Sequence, residues 1–498
     1  MRAEILRLRP QNDERIDMLE DLIADRKKKL DKLKAAGVDP YPVVARRSST
    51  VAEVRRDFKT LLKNKKKVSV AGRVRGLRDQ GGLIFLDVED ESGRVQAVLK
   101  KALLKNFKLL QQTIDIGDFL SVAGPVFKTR KGEESIEAKD VALLTKSLRP
   151  LPSAWYGVED EEIRLRKRYL DLLQSPETRE MFRKKNVFWQ TFREELVTAG
   201  FLEVELPVLE AVPGGAEAEP FTTHHNALDT DFYLRISLEL PLKKLLVGGY
   251  EKVFEIGRIF RNEGISREHL QDYTQMEMYW AYQDYEGLMR FIEKTYKKVI
   301  QATCGTRKVT SNGKKIDWGK KWGRVDYVKA FTKAAGLDPL SASADDLLRK
   351  AKELGLSPES HAGKGRLIDL IFKKTVRPTL IQPAFLIDPP VEIEPLAKKS
   401  RKDPRRVERF QIVAAGSELG KGFSELNDPE DQRERFEAQM KLREAGDTEA
   451  QMIDEDFVEA LEYGMPPAAG FGVSERLFAV LMDKPVRETV FFPLMKRK

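Results

Sequence analysis

The chain has a single cysteine, Cys304, in 498 residues. It can therefore form no intramolecular disulfide and no multi-cysteine zinc site. Histidine is almost as scarce: His224, His225, His269 and His361 are the only four, and no two stand at the helical spacing that chelates a metal. Adjacent His224 and His225 point to opposite faces of an extended segment, so no structural metal is expected. No apolar run approaches membrane length, and the opening residues Met1 to Arg7 lack an apolar signal core. A soluble, cytoplasmic protein is the expectation. A large surplus of one charge is missing too. The 88 Lys plus Arg against 79 Asp plus Glu leave +9, which is compatible with a polyanionic partner without requiring one.

What is present is 41% hydrophobic content over a length that suits two or more cored domains. Residues 1–50 read as a basic helical extension. Ile16, Leu19, Ile23, Leu30 and Leu33 fall at helical spacing among Arg26 to Lys29, Lys32 and Lys34, and Gly37 and Pro40 end the helix. Such a lysine-studded face is normally solvated; contact with a nucleic acid backbone is the alternative. Within 51–148 short strands follow one another: Val68 to Val74, Leu83 to Val88, Arg94 to Val98, Phe119 to Phe127 and Ser135 to Leu143, with turns at Gly81-Gly82 and Glu91-Ser92-Gly93. Five strands without long helices between them predict a small closed β-barrel of the OB type, a fold that binds oligonucleotides on one face. Alternation puts Ile84, Leu86 and Val88 inside and Leu83, Phe85 and Asp87 outside. Phe85 beside Arg73, Arg78 and Gln96 suits stacking of a base whose edges the polar side chains read. Packing of Phe85 under a loop is the other reading.

Residues 149–178 read as a linker opening on Arg149-Pro150-Leu151-Pro152, with a charged run from Glu159 to Lys167. An α+β domain is expected over 179–498. It is interrupted at about 302–383 by a charge-rich helical insertion in which Leu347, Leu348, Ala351 and Leu354 share a helical face. Its most informative stretch is Phe260-Arg261-Asn262-Glu263-Gly264, followed by a returning strand in which Gln275, Glu277 and Tyr279 alternate with Met276, Met278 and Trp280. A guanidinium beside carboxylates on one sheet face suits a zwitterion joined to a phosphate. Alone, the pattern equally fits a half-solvated hairpin with surface charges.

The combination resembles a class II lysyl-tRNA synthetase over nearly the whole chain. The residues that carry the resemblance are Val212-Pro213-Gly214-Gly215, Thr223 to Asp229, Phe260 to Tyr279, Gly422 to Asp428, Gly470 to Arg476 and Phe491 to Met495. The resemblance implies an N-terminal OB-fold barrel that binds the anticodon through Arg73, Arg78, Phe85 and Gln96, followed by an antiparallel-sheet catalytic domain with flanking helices. Gly200 to Pro207 would be the first class motif, at a homodimer interface. Arg261 would hold both the amino acid carboxylate and the ATP α-phosphate, and Glu263, His269 and Tyr273 would hold the nucleotide. Glycines of Gly470 to Arg476 would let a strand pack on the helix carrying Arg476, which covers the adenine. For the lysine, Glu239 and the backbone of Gly215 would take the α-amino group, Glu425 and Tyr279 the side-chain ammonium, with Glu277 alongside. A carboxylate at 425 disfavours an acidic side chain and leaves a neutral one unpaired. The implied substrates are lysine, ATP and tRNA(Lys), with Mg²⁺ as cofactor and no nucleophilic side chain required. The chain departs from the family at Gln411, where an acidic magnesium ligand is usual, leaving Glu418. Lys421 replaces an asparagine, Glu219 an arginine, the third motif is one residue short, and the loop His269 to Tyr273 lacks its usual Asn-Pro.

Overall fold

A computed structural model describes residues 9–151, 160–264, 266–359 and 362–496, with side chains from Met18 onward. The Ile16 side chain, the linker positions 152–159 and His361 lie outside the described residues. The chain divides into two compact units, Met1–Val158 and Glu159–Lys498.

In the first unit the helix Arg9–Ala35 ends before Gly37, whose φ of +72° lets Val38 N–H return to Leu33 O. Leu33 is buried with the barrel core, but polar contacts also hold the helix. The Arg26 guanidinium donates to Ser147 O, Arg149 O and Ile116 O, and Lys29 pairs with Asp115 at 2.8 Å. Part of the basic run expected to face solvent thus anchors the helix.

Six strands follow: β1 (Lys67–Asp79), β2 (Leu83–Asp90), β3 (Gly93–Lys100), β4 (Phe119–Lys128), β5 (Glu134–Glu137) and β6 (Asp140–Thr145). The pairings β1–β2–β3–β5–β4–β1 close a five-stranded barrel, and β6 adds to β4. Every second residue points inward, among them Val70, Ile84, Leu86, Val88, Ala97, Leu120 and Ile136. The single strand expected over Ser135 to Leu143 is broken into β5 and β6. Between them Ala138 N–H bonds to Val98 O and Lys139 N–H to Ala123 O, and the register along β4 shifts by one residue as the chain continues on the same edge. Gly124 makes room for this irregularity, because a side chain there would strike the Glu137 carbonyl.

The second unit is built on an eight-stranded sheet. Its order is Gly323–Asp326, Ala384–Ile387, Arg409–Ala414, Ser417–Ser424, Ala468–Ser474, Asp272–Ala281, Lys252–Phe260 and Leu202–Glu203, antiparallel except at the two outermost pairs. On one face pack the helices Pro176–Thr198 and Tyr285–Cys304. The first is capped by Ser175 with Pro176 at its first position; the second is capped by Asp284 and ended by Gly305 at φ +73°. Phe188, Phe192, Ile292 and Tyr296 from these helices meet Met276, Met278, Phe410 and Phe471 from the strands. The opposite face carries the helix Glu239–Val247 against Tyr279 and Phe423. The alternation expected over Gln275 to Trp280 is therefore realised, with methionines in the core and Glu277 and Tyr279 on the helix-covered side.

Two expectations need correction. Residues 160–178 are not linker: they form the helices Glu161–Arg166 and Arg168–Gln174 and the start of the next. The buried Arg168 pairs with Asp171 at 2.7 Å and donates to Phe491 O and Glu488 O, contacts that no run of local charge predicts. The stretch 302–383 is only partly helical. A hairpin (Lys308–Ser311 with Lys314–Asp317) and the sheet-edge strand Gly323–Asp326 precede the helices Tyr327–Ala335, Ala344–Glu353 and Lys364–Thr375. Trp318 and Trp322 tie this hairpin region into the main core, which a reading by charge density passes over.

Candidate active site

Glu277 organises the centre of the sheet. Its Oε1 accepts from Ser237 Oγ at 2.8 Å, Leu238 N at 3.0 Å and Gln275 Nε2 at 2.5 Å, while Oε2 accepts from the Tyr279 hydroxyl at 3.1 Å. Leu238, the N-cap residue of the helix Glu239–Val247, offers no capping side chain; this strand carboxylate takes the Leu238 N–H and holds the Ser237 hydroxyl, which accepts from Glu239 N–H at 3.2 Å. The first helical residue, Glu239, is thereby set over the sheet. Gly215, at φ +81°, packs on Glu239 and Ser237 so closely that a side chain would clash with both.

Glu425 follows the strand Ser417–Ser424 and is 1% exposed, which rules out a surface loop acid. Glu239 and Glu425 meet through a residue that no sequence motif singled out. The Lys243 Nζ donates to Glu239 Oε1 at 2.5 Å and pairs with Glu425 Oε2, and its side chain is fully buried. The Tyr279, Phe423 and Phe457 rings lie 5.9, 5.4 and 5.9 Å from the ammonium. Neither Glu425 oxygen accepts a well-directed hydrogen bond. Burial, opposed by Lys243 and reinforced by Glu277, raises Glu239 to about 7. Burial likewise pushes Glu425 well above the usual carboxylate range. Sequence signals for Lys243 are weak, because a glutamate and lysine four apart on a helix ordinarily form a surface pair. Its one distinguishing mark is its place among Leu240, Leu242 and Leu246.

Gly470 of the third motif makes room for this pocket. A side chain there would collide with the Glu425 carboxylate and the Tyr279 ring. The strand and the helix Arg476–Leu481 share one core, and Gly470 also makes room for the acid cluster.

Arg261 opens the neighbouring cleft. Its Nε donates to Ile236 O at 3.2 Å, one residue from the Ser237 that serves Glu277, so guanidinium and acid cluster are anchored to adjacent residues of one segment. Arg261, Glu263, His269, Tyr273 and Arg476 line the cleft together, with Glu268, Leu270, Ser474, Glu475 and Val486. The Arg261 guanidinium lies 5.8 Å from the Tyr273 ring centre. Arg476 is fixed through Glu268 O at 3.2 Å and Glu418 O at 3.4 Å. Desolvation by the cleft walls, then the Arg476 cation, push His269 down to about 4, so a neutral imidazole faces the hollow near pH 7. Ser266 Oγ lies 2.7 Å from its Nδ1.

Glu418 stands among cations. Burial opposes ionisation there, but Arg476, Arg409, a hydrogen bond from Gln411 and Lys373 bring its carboxyl down to about 2. Lys421 is engaged: its Nζ donates to Glu394 Oε2 at 2.9 Å, and Arg409 reaches the same oxygen at 3.2 Å. Among the described residues no three or more His, Cys, Asp or Glu side chains cluster as a metal cage.

In the barrel, the outward face of β1 and β2 carries Arg78 opposite Phe85, the guanidinium 5.8 Å from the ring, and Gln96 of β3 stands opposite Asp87. Phe85 is half-buried. Arg73 is diverted: its guanidinium stacks 4.2 Å from the Phe119 ring and donates to Gly117 O at 3.1 Å. Gln96 accepts from Ser135 Oγ at 3.0 Å.

Comparison with known proteins agrees with this geometry. Residues 68–144 match the OB-fold nucleic acid binding domain. Similar chains include the lysine–tRNA ligase of Moorella thermoacetica, 46% identical over 486 residues, covering 96% of this chain and 98% of that one. The lysine–tRNA ligase of Fervidobacterium nodosum is 42% identical, covering 96% and 95%. That of Roseiflexus castenholzii is 43% identical, covering 96% and 99%. Residues 160–496 match the tRNA synthetases class II (D, K and N), and the chain belongs to that family.

Proposed function

We propose that this protein activates L-lysine with ATP to lysyl-adenylate and transfers the lysine to tRNA(Lys). One observation carries the reading: two buried carboxylates, Glu239 and Glu425, share the single ammonium of Lys243, and Glu239 follows by three residues the Ile236 carbonyl that Arg261 binds. Two buried carboxylates on one cation are costly, so the site favours a ligand bearing ammonium groups. In this reading Glu239 and the Gly215 backbone take the α-ammonium, and Glu425 and the Tyr279 hydroxyl the side-chain ammonium. Glu277 holds Ser237, Gln275 and Tyr279 in place. Arg261 grips the substrate carboxylate and the α-phosphate, Tyr273 and Arg476 flank the adenine, and Glu263 and neutral His269 border the ribose and phosphates.

The lysine carboxylate oxygen attacks the α-phosphorus as the bond to pyrophosphate breaks; a terminal tRNA hydroxyl then attacks the acyl carbon and AMP leaves. No side chain forms a covalent bond. Alignment and neutralisation of the developing charge by Arg261 and Arg476 account for the chemistry. Magnesium fits this site as an ion that arrives on the phosphates, because it needs only one or two protein carboxylates. Glu418, fully ionised beside the Gln411 amide, would hold it, and it would screen charge on the phosphate oxygens. Phe85 and Arg78 stack and border an anticodon base, with Gln96 beside them and Arg73, held on Phe119, farther along the same face. The exposed Leu202, Val208 and Leu209 around the edge strand favour a homodimer through the first class motif. No described helix is long and apolar enough to cross a membrane, in keeping with action in the cytoplasm.

The test is amino-acid-dependent ATP–pyrophosphate exchange with each standard amino acid in turn. Strong exchange with lysine alone is expected. Exchange with aspartate, or with none, overturns the reading.

A further inference from the structure

We propose that Lys243 is a positioning residue that sets lysine specificity: its ammonium locks Glu239 and Glu425 at one separation, matched to the two ammonium groups of the substrate. The inference rests on lysine being the substrate. Lys243 is the cation in direct contact with both glutamates. The other charged groups facing Glu239 are Glu277, Lys421 and Glu394, and those facing Glu425 are Glu239 and Glu394. Lys421 is itself paired with Glu394, and Glu277 is saturated by Ser237, Leu238, Gln275 and Tyr279. Among the described residues no other cation pairs with both glutamates.

Charge balance gives the residue its purpose. Glu239 and Glu425 share the Lys243 ammonium, and Glu277 is a third carboxylate acting on Glu239. Substrate lysine adds two more ammonium groups, making three cations for three anions, while its carboxylate is matched by Arg261. Without Lys243 the two glutamates would repel each other, and the substrate alone would have to hold them apart. A pocket so loosened would tolerate a shorter diamine. Aromatic walls from Tyr279, Phe423 and Phe457 leave the ammonium no route to solvent, so it stays with the glutamates.

The experiment compares full-length wild type, Lys243→Met and Lys243→Arg in pyrophosphate exchange with lysine and with ornithine, one methylene shorter, between pH 6 and 8.5. ATP affinity is measured alongside by calorimetry. Both glutamates must be ionised to bind ammonium groups, so kcat/KM for lysine should rise with pH across this range in the wild type. In Lys243→Met the lost cation raises both carboxyls further and moves that limb to higher pH. The lysine KM should rise, and the preference for lysine over ornithine fall, by about tenfold each, the change equivalent to one pKa unit. ATP affinity should not move, and Lys243→Arg should restore the limb. An unmoved limb with unchanged preference in Lys243→Met overturns the inference. Should that variant fail a melting test, Lys243→Gln carries the same comparison. Wild-type protein that ignores lysine overturns the functional reading instead, whatever the variants do.

Discussion

Each unit of this protein buries a lysine between two carboxylates, and the two clusters are finished differently. In the barrel, Lys146 donates to Asp115 at 2.5 Å, Asp118 at 2.8 Å and Thr113 O at 2.6 Å, so all three of its protons are placed. Its acids are also served: Asp118 accepts from the backbone of Ser147 and Asp115, both at 2.8 Å, and Asp115 pairs with Lys29 at 2.8 Å. In the catalytic unit Lys243 meets two glutamates and three aromatic rings, and the Glu425 oxygens lack well-directed donors. A saturated buried cluster stabilises a fold, since any loss strands a charge. An under-served one holds hydrogen-bonding capacity for a ligand.

The sharpest way to break this contrast is Lys146→Met. It leaves Asp118 buried without its cation and should destabilise the protein by about 3–5 kcal/mol, read as a lowered urea midpoint. Lys243→Met should shift that midpoint far less, because Glu425 can take up a proton. Equal losses would make both clusters structural. Next in size, Glu425→Gln removes a charged partner of the substrate and should weaken lysine use by about 1.5–3 kcal/mol, the range for hydrogen bonds to charged groups. ATP affinity should hold; unchanged lysine kinetics would remove Glu425 from its role. Smaller still, Phe85→Ala on the barrel face should reduce tRNA charging by about 1–3 kcal/mol, the worth of a stacked base. Pyrophosphate exchange should persist, and a parallel fall in both activities would assign Phe85 to folding.

Much of this arrangement is legible in the residues. The period-two pattern of β2 predicts Phe85 outside and Leu86 inside, and Gln275 to Trp280 sort onto their faces as alternation requires. Glycine and the family motifs bring Arg261, Glu263, His269, Tyr273 and Arg476 to one cleft. Legibility fails where a contact joins distant segments. Nothing near Ser135 to Leu143 signals that the strand breaks its register over Gly124. The charge run after Pro152 gives no hint that Arg168 is buried under the carbonyls of Glu488 and Phe491. Gly470 reads as a packing glycine until Glu425 and Tyr279 are seen beside it.

Sequence alone determined the barrel, the arginine hairpin and the presence of acids suited to a cationic amino acid, because alternation, turn residues and charge type act over a few positions. Only the tertiary structure decided that Glu239 and Glu425 share one ammonium, that Arg73 is taken up by its cross-strand neighbour Phe119, and that Lys421 answers to Glu394. Those pairings depend on which side chains meet once water is excluded, and burial changes both the strength and the protonation of a charge far more than its neighbours in the chain do.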